Sequence, residues 1–493
     1  MILPAIPDFI EDLDISYDDS SWILAAFLVM GAVMTPIAGK LSDIYGKRKV
    51  LLIILGVYIL GLLLGALATN FLSIVTARGM QGIGISMFPI AFSIIREKFP
   101  PEKLAIAQGI FSSTLSGGAV IGLLIGVSII ETFEWQATFL FIIPIAITLF
   151  AIITKFVSIR EDEGQLVSNK ASEFCCRFIH VRKDILLTEN TTTTYGSNSS
   201  DNNNTYSKKR LKNGIDIKGA VTLAITIISF LTTIQFLENA SSNNSLQIII
   251  FSAGTLVSLF LFVLIEKKSP FPLINFKLLS NKVILSANII NMTVGITALM
   301  VVYQTIPILI RSPLPLGFGG DALSIANVQL PYMTISLIFS VASGFLISRF
   351  GNLRPTMVGT LVTAIGFFTL FMFHSAETSI ATILVLIAIG LALMQIGSVN
   401  VVLTSTPRQF SGISLGMNLL IYLIGSSVGP VIAGIFMQAN QVSVKSDSIS
   451  ASFPSPESYS LIFLVATLIS LSSIVFATLL SRNMSNRIEM SKK

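Results

Sequence analysis

The chain has 493 residues, of which 53% are hydrophobic and only 12% are Asp, Glu, Lys or Arg. Soluble domains carry about 25% charged residues, and the mean hydropathy here is +0.80. This composition excludes an ordinary soluble protein and indicates a chain with many membrane spans. The net charge of +6 is compatible with nucleic-acid binding, but the distribution of the cations described below favours another explanation, and we expect no nucleic-acid partner.

Thirteen apolar stretches are long enough to cross a bilayer as helices, for which about 20 residues are needed. Their hydrophobicity is uninterrupted rather than alternating, which favours helices over a β-barrel. The predicted spans lie near residues 21–39, 50–71, 72–95, 105–130, 136–158, 219–237, 245–265, 283–310, 326–348, 356–373, 378–404, 413–437 and 459–481. We therefore predict an all-α polytopic membrane protein.

The loop after the first span, G39-K40-L41-S42-D43-I44-Y45-G46-K47-R48-K49, is rich in cations. Cytoplasmic loops of membrane proteins carry an excess of Lys and Arg. With this loop in the cytoplasm, every Lys and Arg lies on the cytoplasmic side except Arg78, Arg311 and Lys445. The cations therefore indicate topology, and we predict a multi-pass protein of the cell membrane with a cytoplasmic C-terminus.

The sequence contains an internal repeat. Gly39-x-Leu41-x-Asp43-x-x-Gly46 recurs as Gly344-x-Leu346-x-Ser348-x-x-Gly351, and Gly109, Gly118 and Gly122 recur as Gly416, Gly425 and Gly429. The repeat predicts two homologous halves. The predicted segments are a helical bundle at 1–158, a disordered polar cytoplasmic loop at 159–218, two extra transmembrane helices at 219–265, a cytoplasmic connector at 266–282, a second bundle at 283–481 and a cytoplasmic tail at 482–493.

Two like halves of membrane helices indicate a transporter with a site between them. In the opening loop, Asp43 can cap a helix N-terminus or pair with Arg48, and the glycines allow a tight turn. We predict a cytoplasmic gate formed by Gly39, Asp43, Gly46 and Arg48. Its second-half counterpart would be Gly344, Gly351 and Arg354.

Apart from Lys155, which lies three residues before the end of its span, Arg78 is the one Asp, Glu, Lys, Arg or His in the predicted spans. A charge inside the membrane is costly and usually functional; the alternative is that Arg78 snorkels to the outer interface, about two turns away. Other polar residues in the spans could line a substrate cavity or hydrogen-bond neighbouring helices. The cavity candidates are Asn291, Tyr303, Gln304, Asn418 and Tyr422.

Several motifs resemble those of one family. The stretch G39-K-L-S-D43-I-Y-G46-K-R48-K resembles the loop signature between helices 2 and 3 of the major facilitator superfamily. R78-G-M-Q81-G82-I-G84 resembles its fourth-helix motif, and G118-A-V-I-G122-L-L-I-G126 resembles the fifth-helix motif of its antiporters. The two extra central helices are similar to those of its fourteen-helix drug:proton antiporters.

The resemblance implies a major facilitator fold with two pseudo-symmetric helical bundles, and export of lipophilic, often cationic compounds in exchange for protons. It implies a coupling helix with Arg78, Gln81, Gly82 and Gly84, and a helix-packing motif with Gly118, Gly122, Gly126, Gly425, Gly429 and Pro430. The sequence departs from the family at Leu123, where antiporters carry Pro, and at Ser348, where Asp would stand. We expect no cofactor and no metal site.

The first residues, M1-I-L3-P4, resemble the outer end of the family's first helix. The first half has five predicted spans and the second has six, so we expect that the recorded start lies inside the first helix. No predicted span contains Asp, Glu or His, although a proton antiporter needs a group that titrates.

The predicted function is therefore a secondary active transporter, not an enzyme, that acts as a monomer in the bilayer on small amphipathic substrates with protons as the coupling ion. The alternative is a facilitator or a proton-coupled uptake carrier for a small metabolite, which would differ in transport direction and proton dependence. An ATP-driven pump would need a phosphate-binding loop, and G39-K40 lacks the spacing of that motif.

Overall fold

In the computed structural model, helices account for most of the described chain, which comprises residues 12–13, 17–157, 216–238, 245–269, 272, 276, 280–446 and 449–492. The helices of the first half are α1 (Tyr17–Tyr45), α2 (Lys47–Ala66), α3 (Phe71–Gly82), α4 (Met87–Lys98), α5 (Pro101–Thr132) and α6 (Gln136–Phe156). Two further helices, α7 (Ile217–Glu238) and α8 (Ser245–Lys268), precede the second half. The loop predicted at 159–218 lies outside the described residues as far as residue 215.

The helices of the second half are α9 (Lys282–Thr297), α10 (Ile306–Arg311), α11 (Ala322–Phe350), α12 (Leu353–Met372), α13 (Glu377–Ser405), α14 (Ser411–Ala439) and α15 (Pro456–Lys492). A π-helical turn, Ala298–Thr305, joins α9 to α10. Strands β1 (Gln441–Ser446) and β2 (Ile449–Pro454) form an antiparallel hairpin with Gln441 opposite Pro454. The sequence analysis assigned this hairpin to an outer loop, and it assigned the end of α15 to a tail.

Twelve of the described helices are long and apolar enough to cross a membrane. The predicted span at 72–95 differs, because it is divided between α3 and α4, each of 12 residues, by the 3₁₀ turn Ile83–Ser86. The prediction of an all-α polytopic membrane protein is confirmed.

Several helices begin at polar caps that fix their starting points. The Asn70 side chain accepts a hydrogen bond from the Ser73 N–H at 2.9 Å, before α3. The Asp321 side chain accepts from the Ser324 N–H at 2.8 Å, before α11. Such caps satisfy N–H groups that have no partner within the helix. They therefore fix the residue at which each apolar helix begins.

The two halves each have a hydrophobic core and meet mainly through two pairs of helices. Ile74, Trp135 and Phe139 are buried in the core of the first half, and Phe367 and Tyr459 in that of the second. The halves contact each other where α1 packs on α14 and α5 packs on α11. Helix α7 contacts both α1 and α14, so the extra pair of helices lies along one of these two seams.

Candidate functional site

The α1–α14 crossing is a contact between backbones. A Cβ atom added at Gly39 would lie 2.5 Å from the Gly412 carbonyl oxygen, and one added at Gly416 would lie 2.8 Å from the Thr35 carbonyl oxygen. No side chain fits at such distances. The two halves therefore approach closely at the end of α1 that carries the cationic loop.

The Asp43 carboxylate bridges the same crossing. Its Oδ1 accepts a hydrogen bond from the Gly412 N–H at 3.1 Å, and its Oδ2 accepts from the Ile413 N–H at 3.0 Å. Helix α14 begins at Ser411, so these N–H groups belong to its first turn, where they have no intrahelical partner and form the positive end of the helix dipole. Asp43 thus caps a helix of the other half.

The predicted alternative, an Asp43–Arg48 pair, is wrong, because the Arg48 guanidinium donates to the Thr154 carbonyl of α6. The Lys40 ammonium donates to the Pro272 carbonyl at 3.2 Å. The cations of the loop therefore attach it to neighbouring segments while Asp43 reaches across to the second half.

Helix α4 adds a second set of links that the sequence analysis missed. The Ser93 and Ser411 hydroxyls are 2.6 Å apart, and the Arg96 guanidinium donates to the Thr406 carbonyl beyond the end of α13. Burial, together with the nearby Arg408, lowers the pKa of Arg96 from its ordinary value. No motif in the sequence marked Ser93 or Arg96, because their partners are more than 300 positions away.

Gly46 and Gly351 make the corresponding turns of the two halves. Their φ angles are +97° and +80°, in the left-handed region that glycine adopts without a Cβ penalty. Gly46 alone separates α1 from α2, and Gly351 follows directly after α11. Arg354, the other predicted second-half residue, is exposed.

The α5–α11 crossing repeats the backbone geometry of the α1–α14 crossing. A Cβ atom added at Gly344 would lie 2.4 Å from the Ala105 carbonyl oxygen, and one added at Gly109 would lie 2.5 Å from the Ser340 carbonyl oxygen. In the internal repeat, these are the equivalents of the Gly39–Gly412 and Gly416–Thr35 contacts. The two crossings are therefore related by the pseudo-symmetry of the chain.

The equivalent side chains at the two crossings have opposite hydrogen-bonding roles, because one donates and the other accepts. The Ser348 hydroxyl donates to the Glu102 carbonyl at 2.5 Å, whereas its equivalent, Asp43, accepts from N–H groups. Helix α5 begins at Pro101, so the N–H groups of Ala105 and Ile106 lie inside the helix and bond to its own carbonyls. A carboxylate would find no free donor there, which accounts for serine at position 348.

Arg78 is buried in the first half, with 8% of its surface exposed. Its Nε donates to the Ile23 carbonyl of α1 at 3.3 Å and its Nη1 donates to Gln81 Oε1 at 2.8 Å. Its guanidinium lies 4.5 Å from the centre of the Phe27 ring. The snorkelling alternative is wrong, because the charge is held among α1 and α3 by polar atoms and an aromatic face.

The remaining residues of the predicted coupling helix bring α3 close to α1 and α2. Gln81 donates from Nε2 to the Gly61 carbonyl of α2 at 3.0 Å. A Cβ atom at Gly82 would lie 2.1 Å from the Phe27 carbonyl oxygen, and one at Gly84 would lie 2.9 Å from the Tyr58 ring.

The predicted helix-packing glycines differ between the halves. Cβ atoms at Gly425 and Gly429 would lie 2.4 Å from the Met292 carbonyl oxygen and 2.3 Å from the Ile296 carbonyl oxygen, so α14 packs tightly on α9. A Cβ atom added at Gly118, the equivalent of Gly425, would meet no neighbouring atom of the described residues within 4 Å. Gly122 and Gly126 follow along α5, and Pro430 lies within α14.

The predicted cavity residues lie on the π-helical turn, α9 and α14. Asn418 donates to Asn288 Oδ1 at 2.8 Å, and Asn291 donates to Asn418 Oδ1 at 3.0 Å. Tyr303 and Gln304 lie on the π-helical turn, and Tyr422 follows Asn418 by one helical turn. The sequence analysis missed Asn288 and Tyr332, whose contacts depend on the packing of separate helices.

Comparison with known proteins agrees with this architecture. The sequence profile of the Major Facilitator Superfamily matches residues 1–430 and 292–488. The chain belongs to this superfamily. The prediction of the family is confirmed, and so is the major facilitator fold: the human organic anion transporter MFSD10 (TETRAN) superposes over 96% of this chain and 88% of its own with a TM-score of 0.61 at 12% identity.

Two relatives in Bacillus subtilis (strain 168) are multidrug proteins by name. Multidrug resistance protein 3 is 26% identical over 370 residues, which cover 75% of this chain and 61% of that protein. Multidrug transporter protein MdtP is 23% identical over 453 residues, which cover 90% of this chain and 73% of that protein. The match thus spans less than two thirds of the first of these relatives.

Proposed function

We propose that this superfamily member is a secondary active transporter that exports small amphipathic or drug-like compounds in exchange for protons by alternating access. The names of the Bacillus relatives support the compound class, and the motifs at Asp43 and Gly118 support the antiporter mechanism. The bilayer, a small-molecule substrate and protons are the partners in this proposal.

The observation that carries the proposal is the Asp43 bridge. It joins the two halves at the ends of α1 and α14 that the distribution of Lys and Arg assigns to the cytoplasm. A Cβ atom added at Gly118, near the middle of α5, or at Gly434, near the other end of α14, would meet no neighbouring atom of the described residues within 4 Å. A transporter closed toward the cytoplasm and looser toward the outside has this arrangement, and rocking of the halves would reverse it.

Asp43 also supplies a titratable group for proton coupling. As a carboxylate it accepts two hydrogen bonds at the positive end of α14, and a charged acceptor forms stronger bonds than a neutral one. A proton on Asp43 would remove that charge and weaken the crossing. Binding and release of the proton would therefore favour different positions of the two halves.

Transport into everted membrane vesicles tests the proposal. We expect ethidium, a lipophilic cation, or N-phenyl-1-naphthylamine, an uncharged aromatic amine, to accumulate when a proton gradient is applied, and an uncoupler to abolish the accumulation. Gradient-driven loss of dye from preloaded vesicles would contradict export. Accumulation that an uncoupler does not change would indicate a facilitator.

In the same assay, we expect Asp43→Asn to slow transport at least about tenfold while the protein still inserts into the membrane. A hydrogen bond to a charged group contributes about 1.5–3 kcal/mol, and about 1.4 kcal/mol corresponds to a factor of ten. Glu134→Gln makes the same chemical change at an exposed site and serves as control. An Asp43→Asn variant as active as Glu134→Gln would refute the bridge as a gate.

A further inference from the structure

We propose that Tyr303, Tyr332 and Tyr422 form a binding site that prefers uncharged aromatic compounds with hydroxyl or carbonyl groups to their quaternary ammonium analogues. The inference rests on the proposed function only in regarding the bound compounds as the transported ones. The backbone at Tyr303, the position of the three rings and the chemistry around them support it.

The backbone at Tyr303 is a π-helical turn that side chains stabilise. The Thr305 hydroxyl donates to the Met300 carbonyl, five residues earlier, at 2.6 Å. Gln329 of α11 donates from Nε2 to the Val302 carbonyl at 2.7 Å. π-helical turns within helices occur frequently at functional sites. Here the turn leaves Tyr303 43% exposed between Val302 and Thr305, which are fully buried.

Tyr332 and Tyr422 lie near the middle of the membrane, on helices that also contact the first half. Helices α11 and α14 form the main contacts of the second half with the first. Tyr332 precedes the crossing residue Gly344 by 12 positions, and Tyr422 follows Gly412 by 10. At 1.5 Å per residue these separations are about 18 Å and 15 Å, or half of the hydrocarbon thickness of about 30 Å.

The Tyr303 and Tyr332 rings form an aromatic surface from two elements, with Tyr422 of a third element nearby. The Tyr303 and Tyr332 rings meet edge to face, with centroids 6.2 Å apart and an interplanar angle of 87°. Tyr422, on α14, packs against the hydrophobic core that contains Tyr332. Tyr332 is 5% exposed and forms the back of the surface, whereas the exposed part of Tyr303 forms its front.

Among the described residues, the polar groups next to this surface carry no charge. Gln329, Asn291 and Asn418 are buried amides, and Asn291 Oδ1 and Ser426 Oγ have no hydrogen-bond partner in the described part of the chain. Phenol rings and neutral polar groups suit an aromatic compound that can give and accept hydrogen bonds. A buried cation gains attraction from the ring faces, but it loses hydration that no carboxylate of this cluster replaces.

Equilibrium dialysis of the purified full chain in detergent tests the charge preference. The probes are 2-(hydroxymethyl)anthraquinone and its quaternary analogue, in which trimethylammonium replaces the hydroxyl group. We expect the uncharged probe to bind at least about tenfold more tightly. Tyr303→Phe should weaken its binding about two- to tenfold through loss of one hydrogen bond, and Tyr303→Leu should weaken it further through loss of the ring.

Phe345→Leu is the control, because it removes an aromatic ring from the exposed surface of α11, where we expect no effect. Gel filtration checks that each variant is folded. Equal or tighter binding of the quaternary probe would overturn the charge preference, and unchanged binding in Tyr303→Leu would overturn the site. Because dialysis needs no proton gradient, a failure of driven export in vesicles would contradict the proposed function and leave this result standing.

Discussion

Arg78 illustrates how a single residue can keep a charge inside the membrane, with no carboxylate partner among the residues that the structure describes. The Ile23 carbonyl, the Gln81 amide oxygen and the Phe27 ring surround its guanidinium. The planar guanidinium is suited to this arrangement, because it donates in fixed directions and stacks on an aromatic face. A lysine ammonium carries the same charge but cannot make all three contacts at once.

We therefore expect Arg78→Lys to lower the free energy of unfolding by about 1–3 kcal/mol, the usual cost of leaving a buried polar group unpaired. The measurement is the midpoint of thermal unfolding of the purified protein. Arg354→Lys, the same substitution at an exposed position, is the control and should leave the midpoint unchanged. Equal midpoints for the two variants would show that charge alone matters at Arg78.

At the scale of elements, α14 is the helix on which most of the candidate site depends. Its start meets Asp43 and Gly39, and its middle packs on α9 through Gly425 and Gly429. One face thus contacts the first half while another is fixed within the second. This division suits a helix that must separate from α1 while it remains attached to its own bundle.

The close packing of α14 on α9 predicts that two glycines of α14 respond differently to substitution by alanine. A Cβ atom at Gly429 would lie 2.3 Å from the Ile296 carbonyl oxygen, whereas one at Gly434 would meet no neighbouring atom of the described residues within 4 Å. Gly429→Ala should force α9 and α14 apart at a cost of about 1–3 kcal/mol. Gly434→Ala should be neutral or stabilise by up to about 1 kcal/mol through helix propensity.

Thermal unfolding of both purified variants measures this contrast. The two substitutions change the same atoms on the same helix, so each is the control for the other. If Gly429→Ala unfolded at the same temperature as Gly434→Ala, the contact between α9 and α14 would be looser than the structure shows.

The sequence predicted the helices better than it predicted the contacts between them, for physical reasons. A run of twenty apolar residues has few alternatives to a membrane helix. The repeated glycines indicated both crossings, although not the residues that they contact. In contrast, the partner of Asp43 lies 369 positions away, and the Tyr332 contact with Tyr303 depends on a π-helical turn for which no local signal exists. The break between α3 and α4 at Gly82 also escaped a hydropathy reading, because both pieces are apolar.

At the scale of the whole molecule, the orientation in the membrane decides what the Asp43 crossing can do. The excess of Lys and Arg predicts that this crossing faces the cytoplasm. The two ends of α12 offer a test, since Arg354 lies in its first turn, Ser375 lies three residues after its end, and both are exposed. The two native cysteines, Cys175 and Cys176, would first be replaced by serine.

We expect an impermeant maleimide to label Ser375→Cys in intact cells and Arg354→Cys only in everted vesicles. A permeant maleimide should label both in either preparation and controls for reactivity. The reverse pattern would place Asp43 at the outer surface. The closed end of the transporter would then face outward, and the direction of export proposed here would lose its structural support.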